Sequence, residues 1–387
     1  MRVLITSIPQ VSHIFPIVPT AQALQAAGHE VLVAAQPKVA PALTSAGLPV
    51  QTVGPAFDML AFFRARLPSG MLPLDAWQFD LEQMNAVAAH TWSKWARGVL
   101  GAQLELVSSW PPDLIICDPM ELAAPIVGGI LNVPVVEHRW GPDPTIGFHR
   151  EAAKRMRPAL RAHGLGQLPT PAFVLDPCPP SLKGPGTEPG HPVRYIPYNG
   201  SGALPEGALA GDRPRVCVSF GSVAASLTEG ALVRWTLEAL SEIPGITVTL
   251  AVTRKDLSEI GMVPGDVEVL LDVPLNLITG QCDVLIHHGG DGTGMTGLCH
   301  GVPQVILPQL RVQSHFGELI EGCGAGRNLG DSSAQRSPAT IRAAVQAVLD
   351  EPGCRAAAQR LQAEIEDMPT PAAVVARLEQ VAAVAVS

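Results

Sequence analysis

Three short segments of the chain combine residue types that move protons or hold anions. The first is Ser7-Ile8-Pro9-Gln10-Val11-Ser12-His13, which follows the apolar run 2–6 (RVLIT). It supplies one imidazole, the side chain whose unperturbed pKa of ~6.5 lets it accept a proton near neutrality. A lone histidine also suits a capping or surface role, and both readings stand at this point. The second segment is Asp118-Pro119, after the run 113–117 (DLIIC). A carboxylate there could reach His13, fix its tautomer and stabilise its imidazolium. It would equally suit the N-cap of a following helix.

The third segment is 287–294, HHGGDGTG, between the run 283–287 (DVLIH) and a helical pattern. Gly289, Gly290 and Gly292 let backbone N–H groups approach an anion, and a helix N-terminus favours negative charge. Thr293 adds a hydroxyl, and His287 and His288 add imidazole donors. This is a phosphate cradle but not a Walker loop, because no Gly-Lys-Ser/Thr follows. A metal held by the two histidines is not expected: adjacent side chains diverge, and no third ligand has matching spacing. Gly221 and Ser222, after the run 215–219 (RVCVS), add another glycine and hydroxyl. A nucleotide diphosphate could lie between these two loops. The segment 57–95 concentrates Phe57, Phe62, Phe63, Trp77, Phe79, Trp92 and Trp95. It reads either as a helical core layer or as an apolar pocket for a flat, greasy ligand.

The elements that must position these residues repeat twice. Strand candidates are 2–6, 30–34, 49–53, 113–117 and 133–136, then 215–219, 247–252, 267–271, 283–287 and 303–307. Their continuous apolar runs fit strands covered on both faces by helices. Helical patterns occupy 19–29, 228–242, 338–350 and 353–366. The stretch 177–214 is rich in proline and glycine and reads as a linker or long surface loop. The expected fold class is therefore α/β: two tandem Rossmann-like, doubly wound domains facing a cleft. The expected boundaries are 1–190 for the first domain, 191–214 for the linker and 215–367 for the second domain. A C-terminal helix at 368–387 has room to pack back on the first domain.

Composition narrows the function classes. Charged residues are 16% and apolar residues 47%, which excludes an intrinsically disordered chain. The net charge of -9 leaves no basic footprint for nucleic acid, and no Lys/Arg cluster suggests an anionic membrane surface. No apolar stretch is long enough to span a bilayer, and Met1-Arg2 leads straight into a strand rather than a signal peptide. The seven cysteines form no C-x-x-C pair, so neither a disulfide framework nor a zinc site is suggested. These features lead to the expectation of a cytoplasmic protein. The first loop lacks G-x-G-x-x-G, which disfavours ordinary dinucleotide binding.

Taken together, these residues resemble the two-domain, nucleotide-sugar-dependent glycosyltransferases of the GT-B fold, family 1, that decorate bacterial polyketides. The resemblance runs through MRVLITSIPQVSHIFPIVPTAQALQAAGHEVLVAA, DPCPPSL (176–182), RYIPYNG (194–200), VPLNLI (273–278), HHGGDGTGMTGL (287–298) and GVPQVILPQ (301–309). It covers essentially the whole chain. It is strongest toward enzymes using dTDP-deoxysugars on macrolide or aromatic polyketide aglycones. HRWGPDPT (138–145) and LPTPAFVLDPCPPSL (168–182) are similar to the spinosyn-type rhamnosyltransferases.

The resemblance implies an inverting O-glycosyltransferase with His13 as general base and Asp118 as the carboxylate that orients it. It implies a donor diphosphate site at His287, His288, Gly289, Gly290, Gly292 and Thr293. Gly221, Ser222, Val273 and Leu275 would meet the nucleotide, and Gln313 and His315 the donor sugar. Phe57, Phe62, Phe63, Trp77, Phe79 and Trp140 would line the acceptor pocket. The Asp expected before Gln313 is absent, since position 312 is valine. No D-x-D motif occurs, so no metal is expected, and the dTDP-sugar is a co-substrate rather than a cofactor. The expected partners are that donor and a hydrophobic polyketide acceptor, with a homodimer and a helper protein left open. An aromatic C-glycosyltransferase and a nucleotide-sugar epimerase on the same fold are the alternatives. The epimerase needs no large apolar acceptor pocket, against which the 57–95 aromatics weigh.

Overall fold

The computed structural model describes residues 1–142, 145, 147–208 and 214–384, with the backbone alone for Ser222 and Val384. The first seven strands are β1 (Arg2–Thr6), β2 (Glu30–Ala35), β3 (Val50–Thr52), β4 (Leu114–Cys117), β5 (Val135–His138), β6 (Phe173–Asp176) and β7 (His191–Pro192). They form one sheet in the order β3-β2-β1-β4-β5-β6-β7, paired in parallel throughout. The second sheet comprises β8 (Arg215–Ser219), β9 (Thr247–Val252), β10 (Glu268–Leu271), β11 (Val284–His287), β12 (Gln304–Ile306) and β13 (Gly326–Asn328). Its order is β10-β9-β8-β11-β12-β13, again parallel.

In both sheets the chain winds outward from one strand, returns, and winds the other way. The reversals fall between β1 and β4 and between β8 and β11. Sheets of this kind bind ligands in the crevice outside the carboxyl ends of the strands at that reversal. The loops carrying His13, Asp118, Gly221 and the 288–292 glycines follow β1, β4, β8 and β11 respectively. All four candidate loops therefore stand at the two reversals.

The apolar runs are strands because helices cover both of their faces. Leu4 and Ile115 point into one core with Trp92, Ala96 and Phe148, while Val3, Ile5 and Ile116 point into another with Ile17 and Leu24. In the second sheet Val218 and Ile286 face Leu237 and Val345. Cys217 and Leu285 face Ile278 and Val302 on the other side.

All ten expected strands form, and three more appear. Strand β6 is four residues hemmed in by nearby prolines, β7 is a two-residue edge, and β13 is Gly-Arg-Asn. Strands β7 and β13 have no apolar run to announce them, whereas β6 has one, Phe173-Val174-Leu175, set in a Pro-rich stretch. Strand β7 pairs Leu175 with His191, so the first sheet reaches two residues into the segment read as linker. Pro192 is tolerated there because an edge strand needs no inward N–H. The pattern 228–242 forms helix Ala231–Ser241, and a separate helix that was not expected, Gly221–Leu227, precedes it; the two are divided where Glu229 and Gly230 take φ of 50° and 70°.

The chain ends by crossing back. Helix Pro371–Val384 lays Val374, Val375, Leu378 and Ala382 into the first-domain core shared with Val3, Ile5 and Leu24. Leu378 is fully buried there. Its replacement by alanine is expected to cost about 2–5 kcal/mol of folding stability, read as a lowered midpoint in chemical denaturation. A midpoint within about 0.5 kcal/mol of the parent protein would show that this helix is only loosely attached.

Candidate active site

Asp118 sits fully buried at the end of β4 and accepts three hydrogen bonds. Its Oδ2 takes the Ile8 N–H at 2.8 Å. Its Oδ1 takes the Met120 N–H at 2.9 Å and faces His13 Nδ1 at 3.2 Å. The bond to Met120 is an Asx turn, encouraged by Pro119, which has no N–H of its own. The following helix begins only at Ala123, so Asp118 is not its N-cap. A carboxylate has acceptors and no donors, which suits a position ringed by donors.

With Nδ1–H directed at Asp118, the other imidazole nitrogen, Nε2, is the proton acceptor. Nε2 has no partner among the described residues, and the His13 side chain is 14% exposed. The ring packs on the Trp140 indole, with centroids 4.3 Å apart. His13 lies on the short helix Val11–Ile14, which Pro16 and Pro19 keep from merging with helix Val18–Ala26 into one regular helix. Two of the sequence-derived residues, far apart in the chain, are thus in contact.

The loop after β11 divides its labour. His287 is turned inward and fully buried: Nε2 bonds Gln304 Oε1 at 2.7 Å and Nδ1 accepts the Gly289 N–H at 3.1 Å. Burial drives its pKa down to about 3. The expectation that His287 donates to a diphosphate is corrected, because both nitrogens are engaged in bracing the loop. Gly289 spends its N–H on the same brace. Its φ of 82° and the Gln313 carbonyl, 2.7 Å from where a Cβ would stand, require a glycine.

His288 points the other way. Its ring lies between Gly290 and Gly221, 2.5 Å and 3.1 Å from the positions their Cβ atoms would take. Its Nδ1 is buried without a partner among the described residues, and desolvation lowers the ring's pKa to about 4, leaving it neutral. Helix Asp291–Cys299 starts directly after Gly290, with its first internal bond from Gly294 N to Gly290 O. The N–H groups of Asp291, Gly292 and Thr293 therefore have no acceptor within the helix. A helix start of this kind suits an anion, and Gly221, with φ of 63°, borders it from the β8 side. Ser222 opens the next helix, and its side chain lies outside the described residues.

Trp140-Gly141, after β5, joins the two halves. Trp140 meets His13, and a Cβ on Gly141 would lie 3.3 Å from both Asp291 and Met295 of the cradle helix. Asn199, from the connecting segment, ties the same helix down: it bonds Thr296 Oγ1 at 3.2 Å and accepts the Asn276 N–H at 3.0 Å. Asn199 and Gln304 were not singled out as site residues. RYIPYNG contains the first and GVPQVILPQ the second, but neither motif reveals which side chain turns inward.

Other expected residues separate. Gln313 lends Oε1 to the N–H groups of Gln309 and Leu310, at 2.8 and 3.1 Å, so only its amide NH₂ is left for a ligand. His315 stands two residues further along helix Arg311–Gly322 and packs on Gly184, 3.3 Å from where its Cβ would be. Residues two apart on a helix do not share a face, so the two do not converge on one sugar. Val273 and Leu275 lie after β10 in an apolar cluster with Leu270 and Ile278, Leu275 being the more buried. The aromatics split. Phe57 packs on Trp92 and Trp95 at the core, and a chain of ring contacts runs outward through Phe62 and Phe63 to Trp77. Trp77 and Phe79 line a cavity of about 500 Å³ whose far wall includes Arg311, Ser314 and Asp331 of the second domain. Among the described residues no three His, Cys, Asp or Glu side chains gather closely enough to hold a metal ion.

The chain is similar to known proteins in sequence and in fold. Residues 22–221 match the family described as Erythromycin biosynthesis protein CIII-like, N-terminal domain, and 234–381 match its C-terminal domain. The L-demethylnoviosyl transferase of Streptomyces niveus is 34% identical over 97% of this chain and 96% of its own. The 10-deoxymethynolide desosaminyltransferase of Streptomyces venezuelae is 32% identical over 99% of this chain and 97% of its own. The solved structure of spinosyn rhamnosyltransferase SpnG with thymidine diphosphate superposes with a TM-score of 0.87 at 36% identity, covering 98% of this chain and 100% of that one. SpnG has also been solved with spinosyn aglycone.

The glycine loop yields a specific expectation. Gly290→Ala drives a Cβ into the His288 ring, whereas the nearest atom to a Cβ at Gly292 is 3.8 Å away. Titration calorimetry with thymidine diphosphate should show Gly290→Ala weakening binding by about tenfold or more, roughly 1.4 kcal/mol, and Gly292→Ala by clearly less. Equal losses would mean that His288 is not part of the cradle.

Proposed function

The chain belongs to the Erythromycin biosynthesis protein CIII-like family of glycosyltransferases, and we propose that it moves a deoxysugar from a dTDP-sugar to a hydroxyl of a polyketide-type acceptor with inversion. The observation that carries this reading is the contact chain from Asp118 through His13 and Trp140-Gly141 to the anion cradle. It supports a base on the first-domain side and a leaving-group site on the second-domain side.

The chemistry follows from the placement. His13 Nε2 takes the proton of the acceptor hydroxyl while Asp118 holds Nδ1–H and stabilises the imidazolium. The acceptor oxygen bonds to the anomeric carbon as the bond from that carbon to the diphosphate breaks. The electron pair leaves with the diphosphate, whose growing charge meets the N–H groups of Gly292 and Thr293 at the helix start and the His288 ring. Such preorganised donors cost no rearrangement at the moment of reaction. The outer aromatics Phe62, Phe63, Trp77 and Phe79 offer apolar area to a large flat acceptor. The names of the relatives carry demethylnoviosyl, desosaminyl and rhamnosyl groups, which supports a deoxysugar donor here.

The reading is tested by incubating the protein with a panel of dTDP-sugars and polyketide aglycones and looking for glycosides by mass spectrometry, with linkage and anomeric configuration read by NMR. His13→Ala is expected to lower kcat by ~10²–10⁴ while thymidine diphosphate still binds. Asp118→Asn should approach that loss, because its NH₂ must face at least one of the three donors that the carboxylate accepts. Near-normal turnover in His13→Ala would remove it as the base.

Donor preference supplies a second measurement. Val312 immediately precedes Gln313 in the first turn of helix Arg311–Gly322 and cannot accept a hydrogen bond from a sugar hydroxyl. A hydrogen bond to a charged acceptor is worth ~1.5–3 kcal/mol, and a hydroxyl facing valine forgoes it. A deoxygenated carbon loses nothing there. In competition, kcat/KM for dTDP-rhamnose should exceed that for dTDP-glucose by about tenfold, and a preference for dTDP-glucose would reverse the assignment.

A further inference from the structure

Behind Asp118 the chain buries a second carboxyl that the proposed chemistry leaves unused. Glu121 is 2% exposed, and its N–H closes a turn onto the Asp118 carbonyl at 3.1 Å. One carboxyl oxygen, Oε1, accepts the Ala123 N–H at 2.8 Å. The other, Oε2, is buried without a partner among the described residues. Gln103, from the long helix Leu81–Ser109, is buried beside this carboxyl and donates Nε2 to Thr6 Oγ1 at 3.2 Å. Its own Oε1 also lacks a partner. Buried oxygens without donors are costly, and here two of them belong to neighbouring side chains. One proton on Glu121 Oε2, with the Gln103 amide oxygen turned toward it, would give both a hydrogen bond.

We propose that Glu121 is held as a neutral carboxylic acid donating to Gln103, and that in this form it is a positioning residue for the His13–Asp118 pair. This rests on the transferase reading for its functional half. The groups around it fit. Asp118 lies on its own turn and Cys117 just before it. From β5 comes Glu137, already paired with Arg139 at 3.3 Å and His149 at 3.7 Å. From β1 comes Thr6, from the long helix Gln103, and beyond Asp118 lies His13. The charge that bears on Glu121 is that of Asp118, of the same sign. Burial first, and then that charge, push the Glu121 carboxyl up to about 7, against hydrogen bonds from the Ala123 and Ala124 N–H groups and the Gln103 amide that favour its ionised form.

The functional consequence is electrostatic. A second ionised carboxyl beside Asp118 would favour the imidazolium and hold His13 protonated to higher pH. A protonated His13 cannot accept the acceptor's proton. Neutral Glu121 leaves Asp118 as the lone charge behind the ring, so the base is free closer to neutrality.

The test uses the full chain and the variant Glu121→Gln, whose amide keeps one acceptor for Ala123 and one donor for Gln103. Infrared difference spectroscopy of the wild type should show the carbonyl stretch of a protonated carboxyl at about pH 6, fading as pH rises through about 7, and missing in Glu121→Gln. The folded protein keeps this proton to a higher pH than the unfolded chain does. Wild-type stability should therefore fall between about pH 4.5 and about pH 7, and the variant should not show that fall and should melt higher at about pH 8. In kcat/KM profiles Glu121→Gln should follow the wild type on the acid side, because both present a neutral group to Asp118, and only the wild type should show a further inflection as its carboxyl ionises through about 7. A merely structural role would alter melting and leave no such inflection to lose. Absence of the protonated carbonyl band overturns the neutral form, and profiles that also coincide above about pH 7 overturn the positioning role. A wild type that transfers no sugar sinks the transferase reading and the positioning role together, while the band still decides the protonation of Glu121.

Discussion

One buried carboxylate organises the first domain's contribution to the cleft. Asp118 gathers the backbone of the β1 loop, the backbone of its own turn and the His13 ring onto two oxygens. Parallel pairing of β1 with β4 makes this feasible, since it brings Thr6 opposite Cys117 and ends both strands at one level. The loop after β1 then has nowhere to go but across the end of β4. Remove the carboxylate and two buried N–H groups lose their acceptor along with the imidazole. Geometry of the loop, tautomer of the histidine and direction of its free nitrogen are consequently one constraint rather than three.

The second domain solves the complementary problem with fewer charges. Its cradle is built of backbone donors, and side chains hold that backbone in place. Gln304 braces His287, His287 braces Gly289, and Gln304 also donates to the Gly294 carbonyl at 3.0 Å. Asn199 pins the cradle helix from the connecting segment. The neutral state of the buried imidazoles follows from desolvation and suits this role, because a neutral ring can be donor and acceptor at once. The same is true of His138 at the end of β5, lowered to about 4 and bonded to Thr20 and the Arg139 carbonyl.

What could be read from the residues alone was what is local. Apolar runs marked ten strands, and the position of a loop after a strand marked His13, Asp118 and the glycine cradle as sharing an edge. Adjacent residues with opposite fates were not separable: His287 and His288 differ only in which way a strand end turns. Gln313 and His315 fell together as polar neighbours, although helical geometry sends them apart. Strand β13 and the two-residue β7 gave no apolar signal, and Pro/Gly content hid Asn199 inside a segment that read as connector. Glu121 carried no signal at all, because its interest lies in being buried next to another carboxyl. The aromatic segment divides, with Phe57, Trp92 and Trp95 at the core and Trp77 and Phe79 on the wall of a cavity.

The last helix has a consequence for how such proteins can be recombined. It belongs by chain order to the second domain, yet its Leu378 and Val374 complete the core of the first. Arg194 reinforces the crossing by donating its N–H to the Pro369 carbonyl at 2.7 Å. A chimaera joined once, in the connecting segment, would graft a foreign helix onto the native first domain and leave a mismatched seam. Exchange of whole domains between relatives therefore calls for two junctions, one in the connector and one just before Pro371, so that each domain keeps the surface it packs against. In genetic terms the first domain is a discontinuous unit, and a single crossover cannot carry it whole.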